Sequence, residues 1–295
     1  MKAPDFIYHR ASSVEQALRL LDEYEGNARI LSGGQSLVPM LNMRLWRPSA
    51  LIDINRIAGL DDVESRGRET VLGARVRYRT IEHSDVIARR LPLLAAMIRH
   101  VGDRQVRNRG TLGGSLVQGD PTGEMPLAAL TLGARVRAAS VRGERDIPME
   151  DFYEGSYATV LAPDEMLVSV TYPPHPPFYA FREANRRHND FAVVSVAVVG
   201  GVDDAGNWSA VRIGMGGVNE SPMLATEAAA RLEGTRLTDQ DIGDAARLAA
   251  AQADPPDDIR ASGDYRRHLL QAYVQRTLAD IRQESSSAFS KAPIN

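Results

Sequence analysis

Cysteine is absent from the chain. Its absence excludes a disulfide, a cysteinyl zinc site, a catalytic thiol and an ordinary thiolate-held iron–sulfur cluster in this polypeptide. Lysine is nearly absent: only Lys2 and Lys291 occur, both near the ends. A P-loop needs a lysine directly after its glycine and pyridoxal phosphate needs a Schiff-base lysine, so neither fits the body of the chain. The six histidines (His9, His83, His100, His175, His188, His268) are scattered, with no pair at the i, i+4 spacing of a helical zinc site. That spacing argues against a mononuclear metal hydrolase, and no metal site is expected. No apolar run approaches the ~20 residues of a membrane span, and Met1-Lys2-Ala3-Pro4-Asp5 opens without a signal-peptide core, so the expected compartment is the cytoplasm. A net charge of −3 gives no general nucleic-acid footprint.

What is present is an ordered alternation over 295 residues, 43% of them hydrophobic, enough for two or three packed units. Phe6–Tyr8 reads as a short strand, and Ser13 to Glu25 as an amphipathic helix capped by Ser12 or Ser13 and ended by Gly26. Residues 28–32 form a buried strand, a short helix carries Leu37, Met40 and Leu41 on one face, and Leu51–Ile54 is the next strand, a βαβ-like lobe. A second lobe from Gly59 holds strands at Thr70–Ala74, Ala134–Ala139 and Glu165–Tyr172, helices opening at Thr80 and spanning Leu91–Val101 and Met125–Thr131, and a polar loop at Gly102–Gly110. The proline-rich run 172–177 reads as a linker. Beyond it, Phe191–Gly201 and Asn207–Gly216 form a hairpin, and helices follow at about 224–233, 238–252 and 263–283. The domains expected are therefore 1–176 (lobes about 1–58 and 59–176), 177–284, and a disordered tail at 285–295.

Two glycine pairs carry the chemistry: Ser32-Gly33-Gly34-Gln35-Ser36, between a strand and a helix, and Thr111-Leu112-Gly113-Gly114-Ser115, read in the same setting. Without a Cβ, paired glycines let backbone N–H groups approach an anion, and a following helix adds its own free donors and positive end. A lone pair is more often a structural turn. Two in equivalent settings, flanked by hydroxyl and amide side chains, indicate a phosphorylated cofactor held by two loops. Neither matches Gly-x-Gly-x-x-Gly, so a standard dinucleotide-binding domain is not indicated.

Residues 29–54, RILSGGQSLVPMLNMRLWRPSALIDI, closely resemble the first FAD motif of the flavoprotein (medium) subunits of the molybdenum hydroxylases. This family spans carbon monoxide, nicotine, aldehyde and hydroxybenzoyl-CoA dehydrogenases, with xanthine dehydrogenase as a fused relative. Residues 107–124, RNRGTLGGSLVQGDPTGE, resemble its second FAD motif. The resemblance implies an α+β fold: a two-lobed PCMH-type FAD-binding domain followed by a smaller domain with an antiparallel sheet and three helices. It implies that Ser32, Gly33, Gly34, Gln35 and Ser36 wrap the pyrophosphate with Leu31 and Leu37 flanking, and that Thr111, Gly113, Gly114 and Ser115 contact the cofactor from the second lobe. Glu124 stands at an acidic ligand position, its alternative being a solvated carboxylate at a helix start. Leu167 matches a flavin contact or, equally, a core strand residue; Asp120 reads as a turn-former. Arg182 falls where the fused relatives have a lysine beside the flavin; it is expected to contact anionic cofactor groups, although it cannot mimic a compact ammonium. Phe191 reads as a flavin neighbour or as hairpin core, and Arg99, Arg104, Arg107 and Arg109 as a solvated rim or subunit contact.

Covalent flavin attachment commonly uses His or Cys; Gln35 stands where some flavoproteins have His, so noncovalent FAD is expected. The resemblance places iron–sulfur clusters before the flavin, and with no cysteine here those clusters must sit on another polypeptide. The resemblance thus implies a small [2Fe-2S] subunit and a large molybdopterin subunit, assembled as a dimer of heterotrimers, with this chain relaying electrons to NAD⁺, a quinone, a cytochrome or O₂. No residue here is named as a catalytic acid or base. Two other readings stay open: a stand-alone FAD-dependent oxidoreductase of the same fold, which would turn over substrate alone, and a scaffold subunit that has lost FAD.

Overall fold

The computed structural model describes residues 2–187 and 189–290. The chain folds as two compact units, the first formed by residues up to Ala88, Gly102–Gly119 and Gly133–Pro173, the second by Arg89–Val101, Asp120–Leu132 and Pro174 onward.

In the first unit, strands β1 (Ile7–Arg10), β2 (Ala28–Leu31) and β3 (Ala50–Asp53) make a parallel sheet in the order β1-β3-β2. The connecting helix Val14–Glu23 begins where Ser13 accepts a hydrogen bond from the Gln16 amide, and it buries Ala17, Leu18 and Leu21. Those residues meet Ala50, Ile52 and Ile54 in one core. Parallel pairing requires such a crossover, so the βαβ reading of the sequence is realised as a sheet edge ending in the first glycine pair. An antiparallel sheet, β4-β5-β10-β6-β7, fills the rest of this unit: β4 (Val63–Arg66), β5 (Glu69–Gly73), β6 (Arg135–Ser140), β7 (Gly143–Pro148) and β10 (Met166–Tyr172), with the small ribbon β8 (Tyr153–Gly155) and β9 (Ala158–Thr159) beside it in sequence.

Two local expectations change here. Gly102–Gly110 is not a loop throughout: Arg104–Arg109 is helical, because the Asp103 carboxylate caps it by accepting from the Val106 amide at 2.9 Å. The second glycine pair consequently follows a helix rather than a strand, and its glycines lie inside the first turn of the helix Leu112–Gln118.

The second unit is built on a four-stranded antiparallel sheet, β11 (Phe178–Asn185), β12 (Ala192–Val202), β13 (Trp208–Gly216) and β14 (Met223–Leu224), one long strand more than the hairpin read from sequence. Residues 192–200 of β12 are all buried. Such a continuous apolar run marks a strand covered on both faces. One face packs against Thr226–Leu232, Asp239–Gln252 and Gly263–Ser290 through Leu232, Ala245, Ala249, Leu270, Val274 and Leu278. On the other lies Glu124–Thr131: a Cβ at Gly214 would come within 2.0 Å of Thr131 Oγ1. Arg266, 1% exposed, pins the last helix by donating to the carbonyls of Val193 at 2.5 Å and Gly217 at 3.0 Å and pairing with Asp258 at 2.8 Å.

That last helix runs through Ser290, so residues 285–290 continue it. No proline interrupts Gly263–Ser290, and the Ser285, Ser286 and Ser287 hydroxyls donate back to carbonyls three or four residues earlier. Residues 291–295 lie outside the described residues.

Candidate functional site

The two glycine motifs lie side by side in the first unit. A Cβ on Gly33 would stand 2.4 Å from the Arg109 carbonyl oxygen and 3.0 Å from Gly110 Cα, so the first loop rests directly on the backbone that leads into the second. Gly34 has φ +74°, a left-handed conformation that glycine adopts without strain. Among the described residues, the backbone amides of Gly33, Gly34, Gln35 and Ser36 have no hydrogen-bond acceptor. Ser32 Oγ is buried and likewise has no partner. Four consecutive free donors and an orphaned hydroxyl at one turn suit an anion with several oxygens. The following helix spans only Leu37–Asn42, so the amides and not a helix dipole make this cradle.

The second motif is built differently. The Gly113 amide donates to the Ala74 carbonyl at 2.8 Å and the Leu112 amide to Val76 at 2.9 Å. Thr111, 2% exposed, caps its helix by accepting from the Gly114 amide at 3.3 Å. A Cβ on Gly113 would meet Ala74 at 2.8 Å, so this glycine serves close packing. Gly114 is exposed and Ser115 half-buried, leaving those two as the accessible edge.

A polar network that sequence reasoning missed lies behind the cradle. Asp53, 8% exposed at the end of β3, accepts from the Tyr8 hydroxyl and from Asn55 through its amide N at 2.8 Å and Nδ2 at 2.7 Å. Burial opposes ionisation of Asp53, but these hydrogen bonds outweigh it and hold the carboxyl below its usual range. Asn55 Nδ2 also donates to the Ser32 carbonyl at 2.9 Å, and Arg77 donates to Asn55 Oδ1 at 2.5 Å and to the Arg109 carbonyl. The sequence held one signal for it, the polar Asp53-Ile54-Asn55 directly after an apolar strand.

The remaining candidates fall as follows. Leu167 is 3% exposed in β10, next to a register shift. Asp120 accepts from the Thr122 amide and hydroxyl, each at 2.8 Å, as a turn-former does. In the second unit, Glu124 opens the helix Glu124–Thr131 half-buried rather than solvated. Burial, aided by the charges of Glu183 and Asp120, pushes its carboxyl up to about 8, so at neutral pH it is mostly protonated and able to donate. Arg182 is already engaged: it grips Asp280 with Nε at 2.5 Å and Nη2 at 3.0 Å. Phe191 is 56% exposed under the Arg260 guanidinium, which overturns its reading as hairpin core. Arg99, Arg104 and Arg109 are exposed, as a solvated rim would be, whereas Arg107 pairs with Glu82 at 3.0 Å. Among the described residues, no three His, Asp or Glu side chains are grouped to hold a metal ion, and no helix is long and apolar enough to cross a membrane.

Against known proteins, the family described as "FAD binding domain in molybdopterin dehydrogenase" matches residues 4–175, and the "CO dehydrogenase flavoprotein C-terminal domain" matches residues 179–281. This chain is a medium subunit of the molybdopterin-dehydrogenase flavoprotein family. The medium subunit is 39% identical to the 6-hydroxypseudooxynicotine dehydrogenase complex subunit alpha of Paenarthrobacter nicotinovorans, over 95% of each chain. It superposes on a chain of quinoline 2-oxidoreductase from Pseudomonas putida 86 with a TM-score of 0.92, at 35% identity, covering 96% of this chain and 99% of that one. Carbon monoxide dehydrogenase from Hydrogenophaga pseudoflava gives a TM-score of 0.92 at 33% identity, covering 95% and 98%. The expected α+β fold, a two-lobed FAD-binding domain followed by a domain with an antiparallel sheet and three helices, is the fold of these relatives. The medium subunit is an FAD-dependent oxidoreductase subunit, and the free amides of its first glycine loop suit the diphosphate of that cofactor.

Proposed function

We propose that the medium subunit is the flavin station of a molybdenum hydroxylase complex. Its partners in this reading are a small subunit carrying two [2Fe-2S] clusters and a large molybdopterin subunit that hydroxylates the substrate, assembled as a dimer of heterotrimers. A bound FAD would supply the redox chemistry that links those clusters to an external electron acceptor. The observation that carries the reading is the pairing of a cradle of four free amides with a chain that has no cysteine: it can hold a flavin but no cluster.

The chain's own work is to bind and orient. The loop Ser32–Ser36 holds the diphosphate through its amides and the Ser32 hydroxyl, with Leu31 and Leu37 at its sides. Gly114 and Ser115 offer the second loop's accessible edge, while Thr111 and Gly113 shape it from within. Glu124 joins the ligand set on resemblance, as a hydrogen-bond donor rather than a carboxylate. Leu167 and Arg182 join the set on resemblance too, Leu167 through its backbone and Arg182 while paired with Asp280. With no cysteine and with Gln35 in the loop, FAD is held noncovalently.

The test is a visible spectrum of the purified chain before and after FAD addition and desalting, followed by acid denaturation. A retained flavin spectrum with all flavin released on denaturation is the expected result. Flavin that stays with the precipitate overturns noncovalent binding. A chain that keeps no flavin even when co-expressed with iron–sulfur and molybdopterin subunits is the scaffold alternative instead.

A further inference from the structure

The first and second glycine loops are tied together by one side chain, Arg77. Its backbone pairs with Thr111 in an antiparallel bridge, with the Tyr78 amide donating to Gly110 O at 3.0 Å and the Leu112 amide to Val76 O at 2.9 Å. The position is therefore fixed against the second loop before the side chain is considered. From there the guanidinium forks. One nitrogen donates to the Arg109 carbonyl, the oxygen against which Gly33 rests; the other donates to Asn55 Oδ1, and Asn55 in turn donates to the Ser32 carbonyl.

Both acceptors are neutral. Among the described residues Arg77 pairs with no carboxylate: Asp61 is engaged by Arg75 at 2.5 Å, and Asp53 by Tyr8 and Asn55. Burial, with Arg109 and Arg75 nearby, lowers the pKa of Arg77 somewhat, as expected for a cation without an ion-pair partner. A planar fork spanning two carbonyl-type acceptors is a task for arginine that lysine cannot copy.

We propose that Arg77 is a positioning residue for the cofactor diphosphate, clamping Ser32 through Asn55 and the second loop through the Arg109 carbonyl so that the amides of Gly33–Ser36 converge on one point. The proposal rests on the reading of the first loop as the diphosphate cradle. It assigns Arg77 and Asn55 to one mechanical unit: removing either releases the same loop.

The test uses the full chain and titrates FAD by flavin fluorescence for wild type, R77M, R77K, N55A and R77M/N55A, with ³¹P NMR of bound FAD and urea midpoints alongside. R77M and N55A each weaken FAD by about 10- to 100-fold, R77K does not restore it, and the double variant is no weaker than the worse single. The ³¹P resonances of residual bound FAD move while the flavin visible maxima stay in place. Wild-type affinity in R77M, full rescue by R77K, or additive losses in the double variant overturn the clamp. A wild-type chain that binds no FAD, alone or co-expressed with iron–sulfur and molybdopterin subunits, overturns the reading of the loop itself, a distinguishable result. Should R77M not fold, N55A with its ³¹P spectrum decides the matter: unchanged resonances and affinity sink the proposal.

Discussion

At Gly33 the missing Cβ makes room for the Arg109 carbonyl, and at Gly113 for Ala74, so both pairs are glycine because something else occupies the space. They part company at the amides. Among the described residues, those of Gly33 to Ser36 meet no acceptor, whereas those of Leu112, Gly113 and Gly114 are taken up by Val76, Ala74 and Thr111. The first pair leaves its amides open; the second spends its amides on the fold and keeps only the exposed Gly114 edge accessible. A glycine pair in a sequence reports that a side chain would not fit; only the bonding of its N–H groups reports whether a ligand is wanted there.

Substitutions can break that contrast. G33A forces a Cβ onto a backbone oxygen that cannot swing away, so it should cost the top of the ~1–3 kcal/mol that overpacking commonly costs and abolish FAD retention after desalting. G113A should cost about 2 kcal/mol, read from the urea midpoint, and weaken FAD less than G33A does, because it displaces only the second loop's edge. An equal fall in FAD affinity for both variants would erase the distinction.

Neither loop, Leu31–Leu37 or Thr111–Ser115, carries a side chain that titrates, so a pH series reports on Glu124 instead. Its carboxyl is raised in the fold, so it contributes stability in full below its unfolded value of 4.5 and loses it as pH rises through about 8. Denaturation midpoints of wild type should therefore decline across that window by an amount of order 1–2 kcal/mol, allowing for water around a half-buried group, and E124Q should flatten the decline. The smallest effect is expected of G114A. Its Cβ crowds the capping Thr111 Oγ1 at 2.7 Å, and the lost cap is offset by alanine's better helix propensity, leaving stability within about 0.5 kcal/mol of wild type. FAD affinity should nonetheless fall, because Gly114 is the accessible edge.

Apolar periodicity carried most of the fold. The strands ending at Leu31 and Asp53, the helix after Ser13 and the β12–β13 hairpin all announce themselves through buried positions within a few residues of one another. The helix Arg104–Arg109 did not, because Arg-Gln-Val-Arg-Asn-Arg has no apolar face to read and depends on the single cap at Asp103. The site was legible where backbone alone makes it, at the glycines, and illegible where it depends on distant side chains. Arg77 lies 22 residues from Asn55 and 32 from Arg109, and Arg182 lies 98 from the Asp280 that holds it. A cation's sequence neighbours do not say which oxygen it will find.

The path of the chain through its two units bears on how the protein is made. Residues 89–101 and 120–132 belong to the second unit although they are translated long before Phe178, where that unit's sheet begins. Their helices, Pro92–Met97 and Glu124–Thr131, bring Leu93, Leu94, Met97 and Leu127 to full burial, and β11, β12 and β13 are what they pack on. On the ribosome those four side chains must therefore wait, exposed, for about the last two-fifths of the polypeptide. A gene cut at the end of the first family match, near residue 175, would leave them waiting permanently, so the flavin-binding half should be recovered in soluble form only when the rest of the chain is supplied with it.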